Sequence, residues 1–227
     1  MILYLFDIDG TLIRAGGAGA RALDRVIEAR YGIRSAMAGI DAGGKTDPWI
    51  LEEMFALRFS RAPEPHEIEA ILEAYPPVLA EECATSPRFT VLDGAFEIVS
   101  WLAARACVVG LATGNTLAGA RVKLARAGLW DHFAFGGYGS DSANRAEVVA
   151  TAIKRGEAFA KAPPDHVVVV GDTMHDVRAA KACNALCVAV TTGTEPRTAL
   201  EAGGADVVID SLRDLAAWHE DKFPGSS

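Results

Sequence analysis

Apolar residues fall into short unbroken runs at the front and in the second half of the chain, and at helical spacing between them. Residues 2–6, Ile-Leu-Tyr-Leu-Phe, run straight into acids, a pattern that predicts a buried parallel strand. Further strands are expected at 106–111, at the nearly pure valine run 167–170, at 186–190 and at 207–209. Helices are expected at 116–127 and from about His175. Strands alternating with helices imply a parallel sheet covered on both faces.

Residues 15–89 carry a different pattern. Leu23, Val26 and Ile27 recur at i, i+3, i+4, as do Ile50, Leu51, Met54 and Phe55, and then Ile68, Ile71, Leu72 and Tyr75. Pro76-Pro77 is expected to end or kink the third of these helices. Glycines at 16, 17 and 19 and the pair Ser86-Pro87 look like hinges. The expected organisation is a Rossmann-like α/β core, residues 1–14 and 90–227, interrupted by a small helical cap domain, residues 15–89.

The strand ends carry the chemistry. Asp7-Ile8-Asp9-Gly10-Thr11 follows the first strand, and strand alternation puts Asp7 and Asp9 on one side. Two close carboxylates repel, so a cation or a shared proton is expected. Gly171-Asp172-Thr173-Met174-His175-Asp176 follows the valine strand and sets more acids on the same edge, where open parallel sheets bind ligands. Hard oxygen donors without thiolates point to Mg²⁺. His175 and Asp176 also read as an ordinary helix start. Thr113-Gly114-Asn115-Thr116 follows a third strand and offers a hydroxyl and backbone N–H groups to an anion, or simply a helix cap.

These three motifs, in this order and with the helical insertion after the first, resemble the haloacid dehalogenase superfamily, in particular its small-cap, phosphoglycolate phosphatase-like group. The resemblance implies that Asp7 takes the phosphoryl group and that Asp9 protonates the leaving alcohol and then activates water. It implies Mg²⁺ held by Asp7, the Asp9 carbonyl and Asp172, with Asp176 orienting the site. Thr113, Gly114 and Asn115 would hold phosphate oxygens. The family's usual lysine, often in a Lys-Pro pair, is missing, and Arg145 is its best replacement, near a helix start in 139–147. In the insertion, Gly43-Gly44-Lys45-Thr46-Asp47-Pro48 offers Lys45 to an anionic leaving group or to solvent. Asp47 looks like a helix cap with Pro48 at the first helical position. A cap lysine also resembles that of phosphonate-cleaving relatives.

The expected activity is hydrolysis of a small phosphorylated metabolite, with phosphoglycolate a family-level guess. A sugar phosphomutase or a phosphonate-cleaving hydrolase is the alternative. A halide-releasing hydrolase lacks the second acid, and a binding module would not need every carboxylate.

The 227 residues carry 22 Lys and Arg against 30 Asp and Glu, a formal charge of -8 that argues against a nucleic-acid partner. Cysteines at 83, 107, 183 and 187 form no CxxC pair and are expected as reduced thiols, which suits the cytoplasm. The apolar start is too short and too acidic for a signal peptide, and no run suggests a membrane span. Monomer and homodimer both stay open.

Overall fold

The computed structural model describes residues 1–105 and 107–225. Six parallel strands form one sheet: β1 (Ile2–Phe6), β4 (Cys107–Ala112), β5 (Gly136–Gly137), β6 (His166–Gly171), β7 (Leu186–Val190) and β8 (Val207–Ile209), in the order β5-β4-β1-β6-β7-β8. Residue 106, expected in a strand, lies outside the described residues, as do 226 and 227.

Both faces of the sheet are buried, which is why its strands read as continuous apolar runs. Tyr4, Phe6, Val168, Val170, Val188 and Val190 join one core with α4 (Ala95–Ala103), α5 (Leu117–Ala127) and α9 (Leu215–Lys222). Leu3, Leu5, Val169, Cys187 and Ala189 join a second core, against α6 (Arg145–Ala160), α7 (Met174–Ala182) and α8 (Arg197–Gly203). The layered α/β architecture is therefore the expected one. The four cysteines stand as free thiols.

Register fixes the site. Phe6 pairs with Leu111 on one side and Val170 on the other. The central strands thus end in line, and the next residues of each chain segment, Asp7, Thr113 and Asp172, emerge together.

A two-stranded antiparallel pair, β2 (Ile13–Arg14) with β3 (Thr90–Val91), brackets the insertion. Between them lie α1 (Ala18–Tyr31), α2 (Asp47–Phe59) and α3 (Pro65–Thr85), with an apolar core of their own that includes Leu23, Ile27, Leu51, Phe55, Ile71 and Leu79. Of the two outcomes expected of Pro76-Pro77, an end or a kink, the end does not occur: α3 runs on for two more turns. Tyr75, Leu79 and Cys83 are buried on one face of it, and that packing outweighs the lost backbone hydrogen bonds. No helix among the described residues is long and apolar enough to cross a membrane.

Candidate active site

Asp7, Asp172 and Asp176 are all buried, and each offers a carboxylate oxygen within 4.8 Å of the others'. Asp7 leaves the end of β1. Asp172 follows β6 directly, and Asp176 sits at the third position of α7, in a capping box with Thr173. The helix-start reading of Asp176 is thus met, and its carboxylate also stands among the clustered acids. Gly10, at φ +84°, turns the chain away, and a side chain there would collide with the Asp172 carboxylate. Thr11 donates to Asp172 at 3.0 Å.

Arg145 stands at the first turn of α6 and reaches into this cluster. Its Nη2 donates to Asp7 at 2.8 Å, to Asp176 at 2.7 Å and to the Ala112 carbonyl at 2.9 Å. Burial works against the guanidinium's charge, but Asp7 and Asp176 more than offset it and raise its pKa. Burial also raises the Asp7 carboxyl, against the pull of Arg145. Asp172 is raised well above the ordinary carboxylate value by burial and by its neighbours Asp7 and Asp176. Arg145 makes no hydrogen bond to Asp172, so the negative charge is least compensated there.

Asp9 is the more open of the acids, with its side chain 40% exposed. Its Oδ2 accepts from Asn115 Nδ2 at 2.9 Å and from Lys123 Nζ at 2.6 Å, which leaves Oδ1 toward the cavity. Lys123 was not foreseen from the sequence. It is buried on α5, and its Nζ also donates to Asn115 Oδ1 at 2.6 Å. A signal did exist: Lys123 falls on the helical face of Ala120, Leu124 and Ala127, all buried. A lysine among such neighbours needs a partner.

Thr113 and Asn115 are buried and bonded to each other, Nδ2 to Oγ1 at 2.8 Å. Thr116, not Asn115, caps α5. Gly114 lies under the insertion: its carbonyl accepts from Asp47 N at 2.8 Å, and a side chain there would strike the Lys45 carbonyl.

Asp47 does not cap α2. Thr46 does, accepting from Trp49 N, so Asp47 and Pro48 are the first two helical residues. The freed Asp47 carboxylate turns to the core and accepts from Thr116 N at 2.8 Å. Burial raises it to about 6, against the opposing pull of Lys123 and the Thr116 bond. Lys45 lines the same cavity but pairs with Glu53 at 2.7 Å. His175 meets the Trp49 ring edge-on at 5.2 Å. The cavity between core and insertion has a volume of about 620 Å³ and is lined by Asp7, Asp9, Asn115, Lys123, Arg145 and Asp172 among others.

A parallel sheet with an acid cluster at its central strand ends, covered by a helical insertion, defines a hydrolase architecture known from other proteins. A haloacid dehalogenase-like hydrolase profile matches residues 3–184. The chain belongs to that family. It is 26% identical over 226 residues to "Probable phosphatase IndB" of Dickeya dadantii, covering 94% of this chain and 91% of that protein. It is 25% identical to a phosphoglycolate phosphatase of Pseudomonas putida, over 98% of this chain and 81% of that one. The crystal structure of a hydrolase from Pseudomonas syringae shares the fold, with a TM-score of 0.71 at 21% identity over 99% of this chain and all of that one. Family membership and these relatives make the chain a phosphatase.

Proposed function

We propose that this phosphatase is a Mg²⁺-dependent phosphomonoesterase that cleaves a small phosphorylated metabolite through an aspartyl-phosphate on Asp7. The observation that carries the reading is the cluster of Asp7, Asp172 and Asp176 with Arg145 driven into it. Oxygen donors without thiolate or imidazole suit Mg²⁺. Arg145 is shared between Asp7 and Asp176, so the three-carboxylate cluster keeps a net negative charge, and Asp172 is left in need of a cation. Asp7, Asp172 and the Asp9 carbonyl would hold the metal, and Asp176 would orient the site. When bound, Mg²⁺ supplies the positive charge that lets an anionic nucleophile approach a phosphate.

Asp7 uses the oxygen not bonded to Arg145 to attack phosphorus, and the bond from phosphorus to the leaving oxygen breaks. Asp9 donates its proton to that oxygen from Oδ1, the edge left free by Lys123 and Asn115. Asp9 then takes a proton from water, which attacks the phosphoryl group and releases Asp7. A positioned acid of this kind is worth roughly 10²–10⁴ in rate. Thr113 and the backbone N–H groups of Gly114 and Asn115 would hold phosphate oxygens. Arg145 takes the place of the family's lysine, fixing Asp7 and offsetting phosphate charge.

Residues 15–89 act as a cap over a core of 1–14 and 90–227. The hydrogen bonds from Asp47 N to the Gly114 carbonyl and from Thr116 N to the Asp47 carboxylate support a cap that seats directly on the phosphate loop and excludes water. Lys45, held by Glu53, is not presented as a free amine, which works against Schiff-base chemistry. Phosphoglycolate enters as a candidate substrate through the Pseudomonas putida relative. Free thiols support a reducing compartment such as the cytoplasm. The test is inorganic phosphate release from a panel of phosphorylated metabolites with Mg²⁺ or EDTA. Release that needs both Mg²⁺ and Asp7 is expected. No release from any member by folded protein would overturn the reading.

A further inference from the structure

Behind Asp9, three polar groups face the cavity with hydrogen-bonding capacity to spare. Tyr75, on α3, is 1% exposed, and its hydroxyl has no hydrogen-bond partner among the described residues. Lys123 spends two of its three N–H donors on Asp9 and Asn115, which leaves the third unspent. Asp47 spends Oδ2 on Thr116 and keeps Oδ1. A side-chain carbon built on Gly19 of α1 would lie 3.1 Å from Tyr75 Oη and 3.8 Å from Lys123 Nζ. The missing side chain of Gly19 therefore keeps this corner open. Buried polar groups are ordinarily satisfied, and a donor and acceptor set left open in a cavity calls for a ligand group.

We propose that Tyr75, Lys123 and Asp47 form a subsite beside Asp9 that takes a hydroxyl of the leaving alcohol. The substrate is then the phosphomonoester of a hydroxylated compound, a polyol or sugar, rather than of a hydroxy acid. A hydroxyl can accept from Lys123 and donate to Asp47 at once, and Tyr75 can serve either role. A carboxylate fits poorly at this corner, because it only accepts hydrogen bonds and has nothing to donate to the Asp47 Oδ1. This inference rests on the phosphatase reading, and the experiment separates the two.

The experiment compares phosphate release from glycerol 1-phosphate, propyl phosphate and 2-phosphoglycolate. Wild-type protein is expected to prefer the glycerol ester over the propyl ester in kcat/KM by about tenfold or more, the worth of one or two hydrogen bonds. The glycolate ester is expected to fall below the glycerol ester. Tyr75→Phe removes the hydroxyl. Gly19→Ala fills the corner while favouring the helix, so this second variant keeps its fold. Each is expected to bring the glycerol-to-propyl ratio close to one. A ratio that starts near one, that survives both variants, or that is exceeded by the glycolate ester overturns the subsite while leaving Asp7-dependent hydrolysis standing. No release from any of the three, by wild type as by Asp7→Asn, overturns the phosphatase reading and the subsite with it.

Discussion

Replacing Asp47 by Asn is expected to stabilise the metal-free protein, and by an amount that grows with pH. Asp47 is buried, and its carboxyl is raised from 3.8 to about 6. A carboxyl raised on folding contributes stability that is full below its unfolded value and is lost as pH rises through its folded value. Asn keeps the shape and the acceptor for Thr116 N but never ionises. From the two pKa values, the variant should gain about 1 kcal/mol at pH 4.5 and about 3 kcal/mol at pH 8. For a chain of this size each kcal/mol moves Tm by roughly 2–4 °C. The difference in Tm between variant and wild type should therefore widen by about 4–8 °C between the two pH values. Thermal unfolding in EDTA, run on both proteins across the range, reads this directly. Titrating groups that do not interact with Asp47 cancel in the difference. A difference that is flat with pH, or one that shrinks as pH rises, would refute the reasoning. The same substitution should lower activity on a hydroxylated substrate, which would make Asp47 a carboxylate that costs stability and serves the site.

Arg145→Met leaves Asp7 and Asp176 buried without their cation. It should destabilise the protein by about 3–5 kcal/mol in chemical denaturation, and Arg145→Lys should recover part of both stability and phosphate release. Gly114→Ala drives a side chain against the Lys45 carbonyl. It should lower kcat/KM at least tenfold by pushing the 43–47 loop off the phosphate loop, at a stability cost of about 1–3 kcal/mol seen in Tm. Mg²⁺ at about 100 times its Kd should stabilise the protein by about 2.7 kcal/mol, and Asp172→Asn should remove most of that gain in the same melts.

What the sequence made legible was what repeats or clusters. The strand runs at 2–6, 186–190 and 207–209 match the observed elements because packing against helices on both faces of the sheet leaves no polar position to blur them. Asp7, Asp9, Asp172 and Asp176 could be placed on one edge because strand ends in a parallel sheet share an edge. Arg145 could be singled out because the family resemblance calls for a lysine in that stretch, and Arg145, near the helix start, is the best cation to replace it. The two-residue strands β2, β3 and β5 are too short to carry a period. Lys123 was overlooked because its partners lie far off: Asp9 is 114 residues away in sequence. Asp47 looked like a cap because its side chain could serve locally. Only the seating of α2 on the core shows that Thr46 holds the helix end and frees Asp47 for Thr116. Pro76-Pro77 does not end α3 because the buried face of Tyr75, Leu79 and Cys83 holds the helix on, which local rules for backbone bonds do not weigh.

The central claim is the covalent step on Asp7. Rapid acid quench of the enzyme during turnover of a radiolabelled phosphoester would trap it. Label is expected on the wild-type chain, sensitive to hydroxylamine as an acyl phosphate must be, and mapped to the peptide containing Asp7. Asp7→Asn should carry no label and release no phosphate. Steady turnover by Asp7→Asn, or label on a peptide that lacks Asp7, would contradict the account.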